Sequence, residues 1–325
     1  MSKHILSILG LAFAAIALTG CSNKLNIDAP YKDVTVVYGL LDQNDTTHYI
    51  RINKAFLGQG NANTMAQQYD SINYPAGELT VQLQDLSSSA TVTLGTTMAI
   101  SVAPGIFSYP NQIEYYTNEI LNPNDQYKLI ITNNKSGNVV TGTTSLLSDV
   151  SLSNIGTNNF SVGWFYPIQV TWNSVAGGDI YQLSIRFYYT ETIASVSMVR
   201  YVDWVFPPIV TAGNGGGEYL TQNYTGQGLL QFLHALIPPA IAGETRTGDS
   251  VHITMATGSQ DFSTYESLSQ PSLGINQDKP FFTDLTNGIG IFSARHTQTF
   301  SRTVTNPVDD SISTDPLTSN LGFLP

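Results

Sequence analysis

Cys21 is the residue whose type and setting carry the most definite chemistry. It is the single cysteine of the 325-residue sequence, and it closes the run Leu18-Thr19-Gly20-Cys21 behind an uncharged apolar stretch, residues 5–17. Lys3 places a positive charge ahead of that stretch. Small residues before the cysteine let a signal peptidase reach the backbone, and the thiol then takes lipid. The apolar run is too short to span a bilayer, which takes ~20 residues. This is the pattern of a bacterial lipoprotein signal peptide over residues 1–20, with Cys21 acylated and residues 21–32 as a tether. Acyl chains contribute ~0.8 kcal/mol per buried CH₂, so two or three of them hold firmly.

Other side chains point less sharply. With Cys21 acylated no free thiol is left, which rules out a Cys/His zinc site. His48, His234, His252 and His296 are scattered, and no HExxH occurs. His234 lies in an apolar stretch and is expected to serve the fold. Asp42, Asn44 and Asp45 alternate partly like a calcium loop, but the glycine and distal glutamate of an EF-hand are missing, and a hairpin turn is the expectation. No serine stands in a GxSxG context. No catalytic residue, metal ligand or cofactor is nominated.

Tyr201, Trp204 and Phe206 form an aromatic stretch beside Pro207-Pro208 and the loop containing Gly215-Gly216-Gly217. Exposed, such rings stack on sugars or dock a partner. Buried, they are a strand packed on the core and ended by the prolines. These three are the candidate partner or ligand contacts. Gly288 and Gly290 stand two apart in a strand pattern, where a ligand, another backbone or a bulky ring such as Trp172 can approach closely.

The elements that must position these residues are mainly strands. Charged residues make up only 11% of the chain, and Ser, Thr, Asn and Gln fill the polar positions. Val34, Val36 and Tyr38 alternate with polar or opposite-facing residues, a turn follows at Gln43-Asn44-Asp45, and strand character resumes at Tyr49. Leu79, Val81 and Leu83 share one face, as do Tyr127, Leu129 and Ile131 after the turn Asn122-Pro123-Asn124-Asp125. Tyr181, Leu183, Ile185 and Phe187 give the cleanest alternation. Helical spacing occurs twice. Leu229, Leu230, Leu233 and Ile237 run up to Pro238-Pro239, and Phe262, Tyr265 and Leu268 follow Ser259 as a candidate cap.

The expected architecture is two Ig- or fibronectin-like β-sandwiches. One covers residues 33–148. The other covers residues 149–303 and carries two short helices. Residues 304–325, rich in Ser, Asp and Pro, are expected as a flexible tail. The formal net charge is −11, and Lys3 is the only charged residue of the leader, so the processed chain is slightly more acidic still. That balance argues against nucleic acid and against binding anionic lipid by charge.

Several stretches together resemble a known family. They are Val36-Val37-Tyr38-Gly39-Leu40-Leu41 with His48-Tyr49-Ile50-Arg51-Ile52-Asn53, then Leu121 to Leu129 with Thr141-Gly142-Thr143-Thr144, and above all Phe281-Phe282-Thr283-Asp284-Leu285-Thr286-Asn287-Gly288-Ile289-Gly290-Ile291-Phe292. Their order resembles that of a bacterial lipoprotein family catalogued as domain of unknown function 4249. The continuation Ser293-Ala294-Arg295 departs from the family, and the segment 196–209 has no counterpart in it. The resemblance implies an outer-membrane lipoprotein, on the periplasmic or the cell-surface side, and a TonB-dependent transporter as partner. It implies no activity. The functional expectation is a non-enzymatic binding or accessory subunit, with an envelope hydrolase acting on polysaccharide or peptide as the alternative.

Overall fold

Alternating apolar and polar residues fold here into long antiparallel strands, each with one face toward a core and one toward solvent. The computed structural model describes residues 34–55, 61–99, 105, 112–160, 162–164, 166–269 and 281–325. Cys21, the leader and the tether lie outside them. Among the described residues 48% are strand and 16% helix, so the protein is mainly β and sandwich-like.

The first sandwich pairs β1 (Val34–Leu41), β2 (His48–Ala55), β6 (Ile113–Thr117) and β5 (Gly95–Met98) in one layer, with two short helices, α1 (Ala62–Ala66) and α2 (Tyr69–Ile72), following β2. The facing layer is β4 (Thr91–Thr93), β3 (Leu79–Asp85), β7 (Gln126–Asn133) and β8 (Val139–Ser145). Val37, Ile50, Val81, Leu129 and Ile131 fill the space between them. The second sandwich sets β9 (Ile168–Asn173) and β13 (Tyr219–Tyr224), with helix α3 (Gly226–Leu236), against β10 (Gly178–Ile193) and β14 (Glu244–Ser259). Trp172 is buried there against Tyr181, with ring centres 6.1 Å apart. Each half carries a buried tyrosine whose hydroxyl accepts a backbone N–H from a few residues upstream. Tyr127 takes the Asn122 N–H at 2.7 Å and Tyr181 the Val175 N–H at 2.8 Å. This is the corner-tying device of Ig-like sandwiches.

The expected division after residue 148 is crossed by one strand. β15 (Ile289–Thr303) pairs antiparallel with β14 and parallel with β1, so a nine-stranded sheet runs through both halves in the order β11-β10-β14-β15-β1-β2-β6-β5, with β12 (Ile209–Val210) also on β10. β11 is Val196–Val205. Fifteen residues of strand are long enough to reach two cores. Phe292 and Ala294 complete the first, and Phe300 packs against the second. The two glycines make this seam feasible, and Trp172 is not what packs over them. A Cβ on Gly288 would lie 2.6 Å from Val140, and one on Gly290, at φ +105°, would lie 2.0 Å from the Val37 carbonyl oxygen.

Residues 304–325 are not a loose tail. Asn306–Thr314 forms helix α5, and Val308, Ile312, Leu321 and Phe323 are buried in the second core. Phe323 bridges to Arg246 in parallel, with Arg246 N–H donating to Gly322 O at 2.7 Å and Leu324 N–H to Arg246 O at 2.8 Å. The polar composition hid four apolar side chains spaced to pack.

Candidate binding face of the nine-stranded sheet

Strand alternation decides which side chains share the outer face. On β1, Val37 and Leu41 enter the core, so Tyr38 and Leu40 point outward; on β2, Ile50 and Ile52 enter and Tyr49 and Arg51 do not. On β10 the inward set Tyr181, Leu183, Ile185 and Phe187 leaves Ile180, Gln182, Arg186 and Tyr188 outside. Arg295, Thr297 and Thr299 of β15 join them, because β15 is registered against Gly258, Ala256 and Thr254 of β14.

Helix α4 (Gln260–Ser269) lies across this face. Ser259 caps it, accepting from the Phe262 N–H at 3.3 Å. Gly258 lets it approach, since a Cβ there would meet the Phe262 ring at 2.4 Å. Tyr265 meets Tyr38 edge-on at 6.5 Å between ring centres. Beside the helix is a hollow of about 470 Å³ lined by Leu40, Ile180, Gln182, Phe262 and Arg295. An adjoining one of about 350 Å³ is lined by Tyr38, Tyr49, Tyr265, Glu266 and Arg295. A third, of about 550 Å³, continues past Tyr38 to Arg51, Asn53 and Lys54. Tyr38 and Tyr49 remain 43% and 50% exposed. The arrangement combines apolar rings with a few fixed polar groups, which is how binding clefts hold flat, partly polar ligands or protein surfaces. Beyond the helix the face continues as Tyr188, set between His252 at 4.7 Å and Tyr201 at 5.8 Å, with Arg186 over the Tyr201 ring at 4.1 Å.

The three aromatics singled out in the sequence are split by this geometry. Tyr201 is on the outer face and 54% exposed. Trp204 and Phe206 are on the other side, because an odd separation along a strand reverses the face. Phe206 is buried, and Trp204 stacks on Phe232 of α3 at 5.3 Å and packs tilted against Phe206 at 4.7 Å. His234, expected to serve the fold, is exposed, since Leu229, Leu230 and Leu233 take the buried side of α3.

Behind the face, where the two cores meet, lies a constellation that sequence inspection missed. His296 is fully buried on β15; its Nδ1 is 3.2 Å from Asp42 and its Nε2 2.8 Å from Asp149. Asp42 also opens the turn after β1, its carboxylate accepting from the Asn44 N–H at 3.1 Å and its carbonyl from the Asp45 N–H at 3.0 Å, so this segment is a turn. Asp45 in turn holds Arg295 at 3.2 Å. Both ring nitrogens of His296 face carboxylates, so neither is left for a nucleophile, and the group ties the first turn to the seam strand. Burial favours neutral imidazole, but the hydrogen bonds and charges of Asp42 and Asp149 outweigh it and raise the His296 pKa. Burial also opposes the Asp42 carboxylate, yet the His296 and Asn44 bonds hold its pKa below the usual value.

Two further carboxyls shift the other way. Asp284 accepts the Phe292 N–H at 3.0 Å, Asp309 accepts the Gly248 N–H at 3.1 Å, and burial pushes each up to about 6. A raised native pKa means that stability is full below the unfolded value and is lost as pH rises through the folded one. His296 therefore loses its contribution above 6.5, and Asp284 and Asp309 lose theirs between 3.8 and about 6. Asp42 acts oppositely and loses its contribution only as pH falls below 3.8. The melting temperature is expected to be higher at pH 5 than at pH 8, with Asp284→Asn removing part of the difference. A melting temperature that rises from pH 5 to pH 8 would contradict these assignments.

No protein family matches the chain, and no curated protein matches it either. Among solved structures it is similar to the C-terminal globular domain of an oligosaccharyltransferase from Pyrococcus abyssi, at 8% identity and a TM-score of 0.21. The alignment covers 84% of this chain and 49% of that one, so this chain spans about half of that structure. A likeness so slight carries no argument about activity.

Proposed function

We propose that the chain is a non-enzymatic binding or accessory subunit of a TonB-dependent uptake system, held at the outer membrane by lipid on Cys21. The observation that carries this reading is the outer face of the nine-stranded sheet. Two cores cover its inner side, while on its outer side α4 leaves Tyr38 and Tyr49 in hollows and Tyr201 in solvent. Rings presented this way offer a large contact area at little cost in side-chain entropy. The leader pattern supports the placement. No helix among the described residues is long and apolar enough to cross a membrane.

The test is affinity purification from native envelopes in mild detergent. Near-stoichiometric recovery of a TonB-dependent barrel is expected, and Tyr38→Ala combined with Tyr49→Ala is expected to reduce it at least tenfold without lowering the melting temperature. Recovery of the chain alone, with turnover of a polysaccharide or peptide panel, would favour a hydrolase instead. The anchor has its own test. Cys21→Ala should move the protein from the detergent phase to the aqueous phase and abolish labelling by a clickable fatty acid, and unchanged partitioning would refute it.

A further inference from the structure

The far edge of the same sheet carries a second kind of surface. β11 is the terminal strand, joined only to β10 through the two-residue turn Ala194-Ser195. The Phe206 N–H donates to Leu183 O at 3.0 Å. By the alternation of an antiparallel ladder, even-numbered residues of β11 therefore bond to β10, and odd-numbered ones aim their N–H and C=O outward. The outward backbone groups of Ser197, Val199, Tyr201, Asp203 and Val205 have no partner among the described residues. Natural edges are blunted by lysine, proline, bulges or inward charges. Val196–Val205 has no lysine, proline or bulge, and its one charge on the core side, Arg200, is paired with Glu191. Its two charges are spent sideways, Arg200 on Glu191 at 3.1 Å and Asp203 on Arg186 at 2.6 Å. Val196, Met198, Val199 and Val205 are each more than half exposed.

The geometry points to a second copy of this chain as the occupant, paired antiparallel, β11 to β11, about a two-fold axis at Val202. A strand that pairs with itself must be chemically palindromic, because residue i meets j and j meets i. Read outward from Val202, Tyr201 falls opposite Asp203, Arg200 opposite Trp204, Val199 opposite Val205 and Met198 opposite Phe206. A hydroxyl meets a carboxylate, a guanidinium meets an indole, and apolar residues meet apolar ones, with no like charges opposed. The backbone agrees. Tyr201 with Asp203 and Val199 with Val205 become the hydrogen-bonded pairs, the ladder ends where Ser197 falls opposite Pro207, and Val202 faces its own copy at the closer, non-hydrogen-bonded spacing. A two-fold axis normal to the sheet keeps both outer faces on one side, so the dimer joins two candidate binding faces into one continuous surface.

The test uses the full-length chain in mild detergent with Cys21→Ser, which leaves it free of thiols. Sedimentation velocity is expected to show a concentration-dependent dimer. Val202→Cys should form an intermolecular disulfide under mild oxidation at several times the yield of Val199→Cys, whose copies are too far apart in this register. Val199→Lys, at a position 66% exposed, should weaken association at least tenfold with an unchanged melting curve. A monomer at every concentration, or a Val202→Cys thiol that stays free, overturns the proposal. A disulfide through Tyr201→Cys in place of Val202→Cys overturns the register. Should Val202→Cys fail to fold, the Val199→Lys comparison decides alone.

Discussion

Gly290→Ala is expected to destabilise the protein by roughly 4 kcal/mol or more and to loosen both sandwiches together. Two effects add at this position. The backbone sits at φ +105°, where an L side chain is strained, and the new methyl group would fall 2.0 Å from the Val37 carbonyl oxygen. Relief requires β15 to move away from β1, along the parallel ladder that joins the two halves. Phe292 and Ala294, two residues and four residues on, would leave the first core with it. Gly77→Ala separates the two effects, because Gly77 also has a positive φ of +79° but has nothing within 4 Å of the added carbon. That control should cost only about 1 kcal/mol. Denaturant titration of the pair is the measurement. Equal midpoints for the two variants would mean that β15 does not lie against β1 as described.

Arg246→Met should cost about 3–5 kcal/mol, since it leaves buried charge uncompensated. The Arg246 side chain is 2% exposed. It contacts Glu244 and Glu191, the latter at 3.3 Å, and donates to Pro238 O at 2.8 Å and Leu321 O at 2.7 Å. Removing it leaves the buried Glu244 without its cation and Glu191 with Arg200 alone, and it takes the donor from the carbonyls of Pro238 and of Leu321, the latter in the C-terminal segment that Phe323 anchors. Limited proteolysis should then cut within residues 315–325 far faster than in the unsubstituted chain. Arg200→Met is the comparison. Its side chain is 47% exposed, and an exposed pair is worth less than about 1 kcal/mol. If Arg246→Met melts where the unsubstituted chain does, the C-terminal segment is not pinned as described.

Much of the fold was legible because it is local. The alternation Tyr181, Leu183, Ile185, Phe187 did become the inward face of β10, and the spacing of Leu229, Leu230 and Leu233 did become the buried side of a helix. The choice of strand partner was not legible. Alternation states which face of β15 is buried and is silent on which strands lie beside it, so a strand shared by two cores reads as one belonging to either. The C-terminal segment shows a related limit. Val308 and Ile312 carry the four-residue spacing of a helix face, but Ser, Asp and Pro outnumber them and composition dominates the impression. At the candidate site, the split of Tyr201 from Trp204 and Phe206 follows from parity alone and was available beforehand. The His296 group was not, since its carboxylate partners lie 254 and 147 residues away in sequence. The hollows beside α4 were equally hidden, because they depend on where a helix settles on a sheet.

The most direct test of the proposed binding face is a photo-crosslinking amino acid in place of Tyr49, in cells with the lipidated chain at native abundance. Leu86 is the matched control, 40% exposed just beyond β3, in the layer on the far side of the first core from the outer face of the nine-stranded sheet. An adduct with a TonB-dependent barrel from position 49 and none from position 86 is the predicted result. Adducts of equal yield from both positions, or from position 86 alone, would contradict the assignment of the outer face as the surface that binds.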